Sequence, residues 1–195
     1  MKQTKILNKE IIKDSKECYF IKPFDVVSTY SSFVETWKVA NKVCKKIDDV
    51  NDVSLMHSLS ENSKFGFISF SKWKSKESFK ETLQNNVVLK YHNELNGNGT
   101  KSAAVNLYKP VANNFSSNKI TPLSVLLVSI FEFTSDNDAE AINFWYERLS
   151  VFKTRVNSVS LFKSIYKNSK YRLICFANIN DINDSSLKTV FFEAN

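Results

Sequence analysis

The fold is decided by the stretch LMHSLSENSKFGFISFSKWKSKESF, residues Leu55–Phe79. Two apolar runs rich in aromatic and aliphatic residues are joined by the polar turn Ser60–Lys64, which is the pattern of a β-hairpin. The second run ends at Trp73, and Ser75 then stands where a helix N-cap belongs, with Glu77 in an acidic first turn. The stretch therefore predicts a strand, a turn, a second strand and the start of a helix.

The segments on either side of this hairpin complete a ferredoxin-like order. In Tyr30–Ile47 the apolar residues recur at spacings of three and four, which predicts an amphipathic helix. The expected strands are Cys18–Val27, Asp52–Leu59, Phe65–Trp73 and Ser102–Lys109. A second helix is expected from Ser75 to about Glu94, with Phe79, Leu83, Val87 and Tyr91 on its apolar face. The order βαββαβ places helices on one face of an antiparallel sheet.

A second copy of the pattern follows in the same chain. A shift of 106 residues lays Val156–Ile179 on Val50–Trp73 without a gap, with many identical residues. Val125–Phe133 repeats the first strand, and Asp138–Lys153 repeats the first helix with Trp145 placed like Trp37. An internal duplication of this kind predicts two similar structural units.

The chain is accordingly divided into an N-terminal extension (1–17), a first repeat (18–112), a linker (113–122) within the polar stretch Pro110–Leu123, and a second, shortened repeat (123–195). The last residues, Ile182–Asn195, leave room for only a brief helix or strand. The third strand and VLLVSIFEF at 125–133 carry apolar residues on both faces, whereas a half-solvated sheet alternates. We therefore expect an α+β protein of two ferredoxin-like repeats packed sheet to sheet as a pseudo-dimeric α/β barrel.

Composition narrows the function classes. The net charge is +7, but the lysines are dispersed and mixed with acidic residues, which is typical of a solvated surface rather than a nucleic-acid site. Only three glycines occur, too few for a phosphate-binding loop. The three cysteines are far apart and lack histidines at ligand spacing, so we expect neither zinc nor a disulfide. Without an apolar run of spanning length or a signal peptide, a soluble cytoplasmic protein is expected, with no membrane partner.

Three motifs in the first repeat together resemble the antibiotic biosynthesis monooxygenase (ABM) domain. They are KPFDVVSTYSSFVETW (Lys22–Trp37), SLMHSL around His57 and FISFSKWKSKESF (Phe67–Phe79). Typical members have an Asn-Pro-Phe first strand, a Trp in the first helix, a Leu-His second strand and a Trp-x-Ser-x-x-x-Phe entry to the second helix. In the second copy Lys163 replaces His57 and Ile179 replaces Trp73.

The resemblance implies a dimeric α/β barrel made within one chain, as a monomer with an internal pseudo-dimer or as a homodimer. It also implies binding of a small aromatic molecule and cofactor-independent oxygenation. His57 would be the base, Trp37, Trp73 and Phe24 the walls, and Lys22 the partner of an acidic or phenolate group. The plainer alternatives are core packing for the tryptophans, a structural role for His57 and a solvated Lys22.

Heme is the less favoured cofactor. In the heme-degrading branch of the family, an Asn on the first strand and a Trp and a His on the second helix form the site. His92 falls at the histidine position, where it is a lesser catalytic candidate, but Lys22 and Thr82 replace the other two residues. The main expectation is therefore no cofactor.

Two further functional interpretations of the sequence remain open. SKFGFISF (Ser63–Phe70) is similar to the aromatic third-strand motif of RNA-recognition domains, which would need Phe65 and Phe67 exposed on an open sheet. Lys64 and Ser63 depart from that motif, so nucleic acid ranks as an unlikely partner. A non-catalytic structural protein would instead have a filled core and no pocket.

Overall fold

The computed structural model describes residues 15–26, 30–47, 49–59, 63–97, 100–102, 106–113, 125–132, 139, 142–143, 156–179 and 191–194. The strands within these ranges are β1 (Cys18–Val26), β2 (Val50–Ser58), β3 (Phe67–Trp73), β4 (Thr100–Ser102), β5 (Leu107–Asn113), β6 (Val125–Glu132), β7 (Val156–Ser164), β8 (Tyr171–Ile179) and β9 (Phe191–Ala194). The helices are α1 (Tyr30–Cys44), α2 (Lys76–Leu83) and α3 (Asn86–Gly97). No helix among the described residues has the length and hydropathy needed to cross a bilayer.

The strands form one curled, antiparallel sheet with the neighbour order β3-β2-β9-β6-β8-β7-β5-β1-β4. Because β1 also pairs with β3, from Cys18 opposite Trp73 to Phe24 opposite Phe67, the neighbours return to their starting point. Eight of the described strands therefore form a closed sheet. The short strand β4 pairs with β1 beyond the part of β1 that pairs with β5. The predicted α+β class with an antiparallel sheet is confirmed.

Pro23 is accommodated in β1 by a gap between neighbours. Beyond the pairing with β3, β1 pairs with β5 through Tyr19 and Phe20 and with β4 from Phe24 onward. The carbonyl of Phe24 accepts the backbone N–H of Gly66 on the β3 side, so Pro23, one residue earlier, turns its nitrogen toward the gap. Its missing N–H therefore interrupts no ladder.

The single helix predicted from Ser75 to Glu94 is wrong, because Asn85 divides it. Ser75 caps α2 as expected, its hydroxyl accepting from the Ser78 N–H at 3.0 Å. Asn85 Oδ1 then accepts from the N–H groups of Val87 and Val88, at 3.0 and 3.4 Å, and starts α3. This restart shifts the buried face of the helix, so that Val88 is buried while Val87 is 49% exposed, contrary to the predicted stripe.

The predicted fourth strand at Ser102–Lys109 is also revised. The structure has two short strands, β4 and β5, in its place. β5 continues through Pro110 to Asn113, with its register against β7 slipping between Pro110 and Ala112. The polar stretch that begins at Pro110 is therefore strand at its start, and residues 114–124 lie outside the described part of the chain.

The inner face of the curled sheet is filled by side chains from both halves of the chain. Phe70 lies 5.8 Å from Phe176 and 6.1 Å from Phe162 between ring centroids. Tyr108 is fully buried, and its hydroxyl donates to the Tyr171 carbonyl at 3.0 Å. The cluster also contains Ile21, Met56, Phe65, Ile68, Val128 and Ile174. Both faces of β3 are thus covered, as its two-sided sequence predicted.

The aromatic residues of the RNA-recognition-like motif are buried. Phe67 is 1% exposed and stacks on Phe33 of α1 with 4.8 Å between ring centroids. Phe65 is 8% exposed and meets Tyr171 edge-on at 5.7 Å, in the inner cluster rather than on the face of Phe67. An RNA-recognition surface needs these rings exposed, so that alternative is wrong.

The hairpin of the second half has the same register as that of the first. Val50 faces Trp73 in β2–β3, and Val156 faces Ile179 in β7–β8. Each ladder has a one-residue bulge near this end, between Asn51 and Val53 in the first half and one position earlier, between Val156 and Ser158, in the second. β6 and the hairpin match the predicted strands, and β9 lies in the predicted terminal segment. The helix expected at Asp138–Lys153, with Trp145, is outside the described residues except for positions 139, 142 and 143, as are residues 1–14 of the extension.

Candidate functional site

A cavity of about 90 Å³ lies between the helices and the outer face of β1, β2 and β3. Its walls include the rings of Phe20, Phe24, Trp37, Trp73 and Phe79. Phe79 meets Trp73 edge-on at 5.0 Å and stacks on Phe20 at 5.4 Å between centroids. These contacts hold the rings in fixed orientations around a largely apolar space.

Two serines on β3 anchor the two tryptophans. Ser69, Ser71 and Trp73 alternate along the strand and so point to the same outer face. The Trp37 indole N–H donates to Ser69 Oγ at 3.1 Å, and the Trp73 indole N–H donates to Ser71 Oγ at 2.8 Å. Both indoles are almost fully buried, with their N–H groups satisfied and their rings on the cavity.

Among the described residues that line this cavity, Lys22 brings the charged group. It projects from β1, is only 2% exposed, and its Nζ lies 5.1 Å from the centroid of the Phe24 ring. Burial disfavours the ammonium form and lowers the pKa of Lys22 from 10.5 to about 8. A neutral amine, able to accept a proton, is therefore accessible near physiological pH, and the solvated surface lysine of the plainer alternative is wrong.

His92 reaches the same cavity from α3. It lies one helical turn after the buried Val88, so the restart of the helix at Asn85 is what turns it inward. Burial and the positive charge of Lys22 lower the pKa of His92 below its ordinary value of 6.5. The imidazole is thus neutral at pH 7. The cavity therefore brings together an amine and a neutral imidazole.

Asn41 supplies a polar atom without a partner. Its Oδ1 is buried against the cavity and accepts no hydrogen bond from the described residues. A buried acceptor left unsatisfied costs about 1–3 kcal/mol, which a ligand hydroxyl or N–H can offset. This α1 residue was missed by the sequence analysis, because its amide stands among helix residues that look solvated.

The structure brings together five of the six predicted site residues: Lys22, Phe24, Trp37, Trp73 and His92. His57 is the exception, since it is not among the residues lining this cavity. It is half-buried on β2, opposite Phe67 of β3 and Glu193 of β9. The role of base predicted for His57 has no geometric support in this cavity.

The serines of β3 were also missed, although the sequence carried a signal. In FISFSKW they occupy alternate positions of a strand whose other residues, apart from Lys72, are apolar. Such a pair on a buried face needs hydrogen-bond partners. The indole N–H groups of Trp37 and Trp73, both predicted to line the pocket, are donors of the kind that such serines can accept from.

The positions of the heme-degrading pattern do converge, since Lys22, Thr82 and His92 all line the cavity. The space does not fit a heme, however. About 90 Å³ is well below the roughly 300–1,000 Å³ of pockets for drug-sized ligands. Within the described residues, no group of three or more His, Cys, Asp or Glu side chains is arranged to hold a metal ion.

No protein-family model matches the sequence. No curated protein matches it either. Similarity is found among solved structures. An anthrone oxidase-like protein matches with a TM-score of 0.64 and 12% identity, over 87% of this chain and 75% of that one.

Two further solved structures match over most of their lengths. A proposed monooxygenase from Fusobacterium nucleatum subsp. nucleatum has a TM-score of 0.55 and 12% identity, over 87% of this chain and 78% of its own. A mutant chlorite dismutase from Candidatus Nitrospira defluvii, in complex with cyanide, has a TM-score of 0.55 and 8% identity, over 94% and 92%. The structural neighbours are ABM-like dimeric α/β barrel proteins, which confirms the predicted resemblance for the fold.

Proposed function

We propose that the cavity between the helices and β1–β3 binds a small aromatic molecule with an acidic hydroxyl group, and that the protein is a cofactor-independent monooxygenase. The observation that carries the proposal is a buried Lys22 amine with a lowered pKa in an aromatic cavity. His92 and the unsatisfied Asn41 Oδ1 are the other polar groups that favour an oxygen-bearing ligand there.

The walls suit a flat ring. Trp37 and Trp73 are held by their serine hydrogen bonds, so they can offer ring faces without losing further side-chain freedom. The volume of about 90 Å³ is smaller than the ~150 Å³ cavity that holds benzene in other proteins. Ligand entry therefore requires the cavity to widen.

The chemistry begins with proton transfer. The neutral Lys22 amine accepts the proton of the ligand hydroxyl, and the resulting ammonium then pairs with the phenolate. Neutral His92 and the Asn41 amide orient the ligand by hydrogen bonds. About a tenth of Lys22 is neutral at pH 7 if its pKa is about 8, and the fraction rises with pH.

The delocalised anion of the substrate supplies the electrons. Its carbanion carbon, which is CH in the hydroxyl-bearing enol tautomer and CH₂ in the keto tautomer, reduces dioxygen and forms a C–O bond. The proton held by Lys22 returns to the resulting peroxide anion and completes a hydroperoxide. Loss of water then leaves a carbonyl, so that CH₂ and O₂ become C=O and H₂O. Dioxygen is the only co-substrate in this balance. The anthrone oxidase-like and monooxygenase names of the structural neighbours favour this reaction class.

The two halves have different parts in this proposal. Residues 18–112 form the repeat with the site, and residues 123–195, joined to it by 113–122, form a second repeat that closes the barrel as a pseudo-dimer. The equal registers of the two hairpins and the interior shared by Phe70 and Phe176 support this division. A single chain is then sufficient, without a homodimer.

Anthrone is a suitable probe. We expect it to quench the fluorescence of Trp37 and Trp73 and to drive protein-dependent uptake of oxygen at an electrode. Lys22→Met should reduce the uptake by about 10²-fold or more, the range of general-base catalysis. Lys42→Met, on the exposed face of α1, is the matched control.

The outcomes separate binding from catalysis. Quenching without oxygen uptake contradicts the oxygenase and leaves a binding protein for the same ligand class. Uptake that persists in Lys22→Met but is lost in His57→Ala would restore the base predicted from the sequence. If anthrone causes neither fluorescence quenching nor oxygen uptake, the whole proposal is contradicted.

A further inference from the structure

A second and larger cavity, of about 680 Å³, lies on the other half of the sheet. The described residues that line it include four basic side chains and no acidic one: Lys109 on β5, Lys163 on β7, Lys167 after β7 and Arg172 on β8. Val111 and Ile165 add apolar surface. None of these residues contributes to the aromatic cavity of the first half.

Backbone register forces two of these charges together. Lys109 of β5 and Lys163 of β7 are direct Cα partners in antiparallel strands. Like charges directly opposite on one face of a sheet are destabilising. A bound anion turns the same arrangement into an attraction, because both ammonium groups can then donate to it.

Arg172 is built into the cavity rather than lying on its rim. It is only 6% exposed, and its guanidinium donates to the backbone carbonyl of Lys167. That hydrogen bond fixes the orientation of the guanidinium and attaches it to the turn that carries Lys167. A guanidinium whose orientation is already fixed loses little further entropy when it binds a phosphate or carboxylate.

We propose that this basic cavity is a binding site for a small polyanion, of the class of phosphomonoesters and diphosphates. The volume lies within the roughly 300–1,000 Å³ typical of small-molecule sites. Three strands and the turn after β7 each contribute charge, so the recognition needs multiple anionic oxygens. Val111 and Ile165 accept the organic part of such a ligand. The site does not depend on the function proposed for the aromatic cavity.

Isothermal titration calorimetry with pyrophosphate, and separately with inorganic phosphate, tests the site. We expect saturable binding of pyrophosphate that weakens as salt is raised, with weaker binding of phosphate. Lys109→Gln with Lys163→Gln should weaken pyrophosphate binding by about tenfold or more, the loss of charge-assisted hydrogen bonds. Lys42→Gln with Lys80→Gln removes the same charge from exposed helix positions and should leave the affinity unchanged.

Arg172→Gln is a second test, with circular dichroism to establish that the buried substitution still folds. If Arg172→Gln does not fold, the calorimetry of the Lys109/Lys163 double variant is the deciding test. If pyrophosphate binding weakens equally in the Lys109/Lys163 double variant and in the Lys42/Lys80 control, the effect is one of overall charge and the proposed site is wrong. The proposal is also overturned if neither anion binds, or if the protein binds an RNA homopolymer but not pyrophosphate.

Discussion

The two hairpins share one backbone register but present different outer faces. In the first half Lys22 of β1 is opposite Ser69 of β3, whereas the corresponding pair in the second half is Ser129 of β6 and Cys175 of β8. At the end of the hairpin Trp73 is opposite Val50, and Ile179 is opposite Val156. Lys22, Ser69 and Trp73 of the aromatic cavity are thus replaced by Ser, Cys and Ile at the equivalent positions.

The inner faces differ much less. Ile68 and Phe70 on β3 correspond to Ile174 and Phe176 on β8, and all four are buried in one cluster. Each half is the packing partner of the other there, so a change on one side must be matched across the interior. The outer faces have no such constraint. Chemistry can therefore be kept on one outer face and lost from the other without loss of the fold.

The largest expected effect comes from breaking the shared interior. Phe176→Ala should cost about 3–5 kcal/mol in the free energy of unfolding, the usual loss for a buried Phe, and Phe70→Ala a similar amount. Because the two rings are in contact, the double variant should cost less than the sum. Urea denaturation measures all three variants. Additive losses would mean that the halves are stabilised separately, contrary to a common interior.

The next effect has the opposite sign. Lys22→Met should stabilise the protein at pH 7 by up to about 3 kcal/mol, since burial lowers the Lys22 pKa from 10.5 to about 8. Below pH 8 the folded and unfolded states both carry the charge, and the penalty is complete. Between pH 8 and 10.5 only the unfolded state keeps the proton, so wild-type stability rises relative to the variant.

Denaturant midpoints of both proteins across this pH range provide the measurement. Tyr19, Tyr108 and Cys18 have raised pKa values, and their titration destabilises the fold at high pH. They are common to both proteins, so the difference between the curves isolates Lys22. Ser129→Ala, at the equivalent position in the second half, is the control and should show no such pH dependence. A constant difference from pH 7 to 11 would contradict the burial of the charge.

Much of the fold was predictable because its strongest signals are local. The two-sided apolar pattern of β3 predicted burial on both faces, and the shift that aligns the two hairpins predicted their common register. The division of the second helix was missed because Asn85 lies inside an otherwise periodic run. Only the hydrogen bonds that its side chain accepts from the N–H groups of Val87 and Val88 show that Asn85 is an N-cap and not an interior helix residue.

Most residues that line the site were predicted from the sequence, but the residue proposed as its base was not. Lys22, Phe24, Trp37 and Trp73 were identified from short motifs, and all four line the cavity. Periodicity could not decide between His57 and His92. Whether His92 faces the cavity depends on the phase of α3. That phase is set by the restart of the helix at Asn85. Lys22 became central only when its burial was known, because a lysine in a strand is usually solvated.

A smaller effect tests the outer-face difference directly. Trp73→Ile places the residue of the second half at the equivalent position in the first. The change removes the edge contact with Phe79 and leaves Ser71 without its indole donor, so we expect a loss of about 2 kcal/mol in stability. Aromatic ligand binding should weaken by about tenfold, measured by equilibrium dialysis. Trp73→Phe, which keeps a ring, should lose less of both. An unchanged affinity in Trp73→Ile would mean that the wall is not part of the binding site.

The smallest effect concerns the helix restart that distinguishes the prediction from the structure. Asn85→Ala removes the side-chain acceptor for two N–H groups and should lower the urea midpoint by an amount worth about 1 kcal/mol, with the slope unchanged. Asn85→Asp keeps the acceptor and should be neutral to stabilising. Because the cap sets the phase of α3, its loss should also raise the pKa of His92, followed by NMR, as the ring becomes more solvated and moves from Lys22. An unchanged His92 titration in a folded Asn85→Ala variant would show that packing of Val88 and Leu95, rather than the cap, turns the histidine into the cavity.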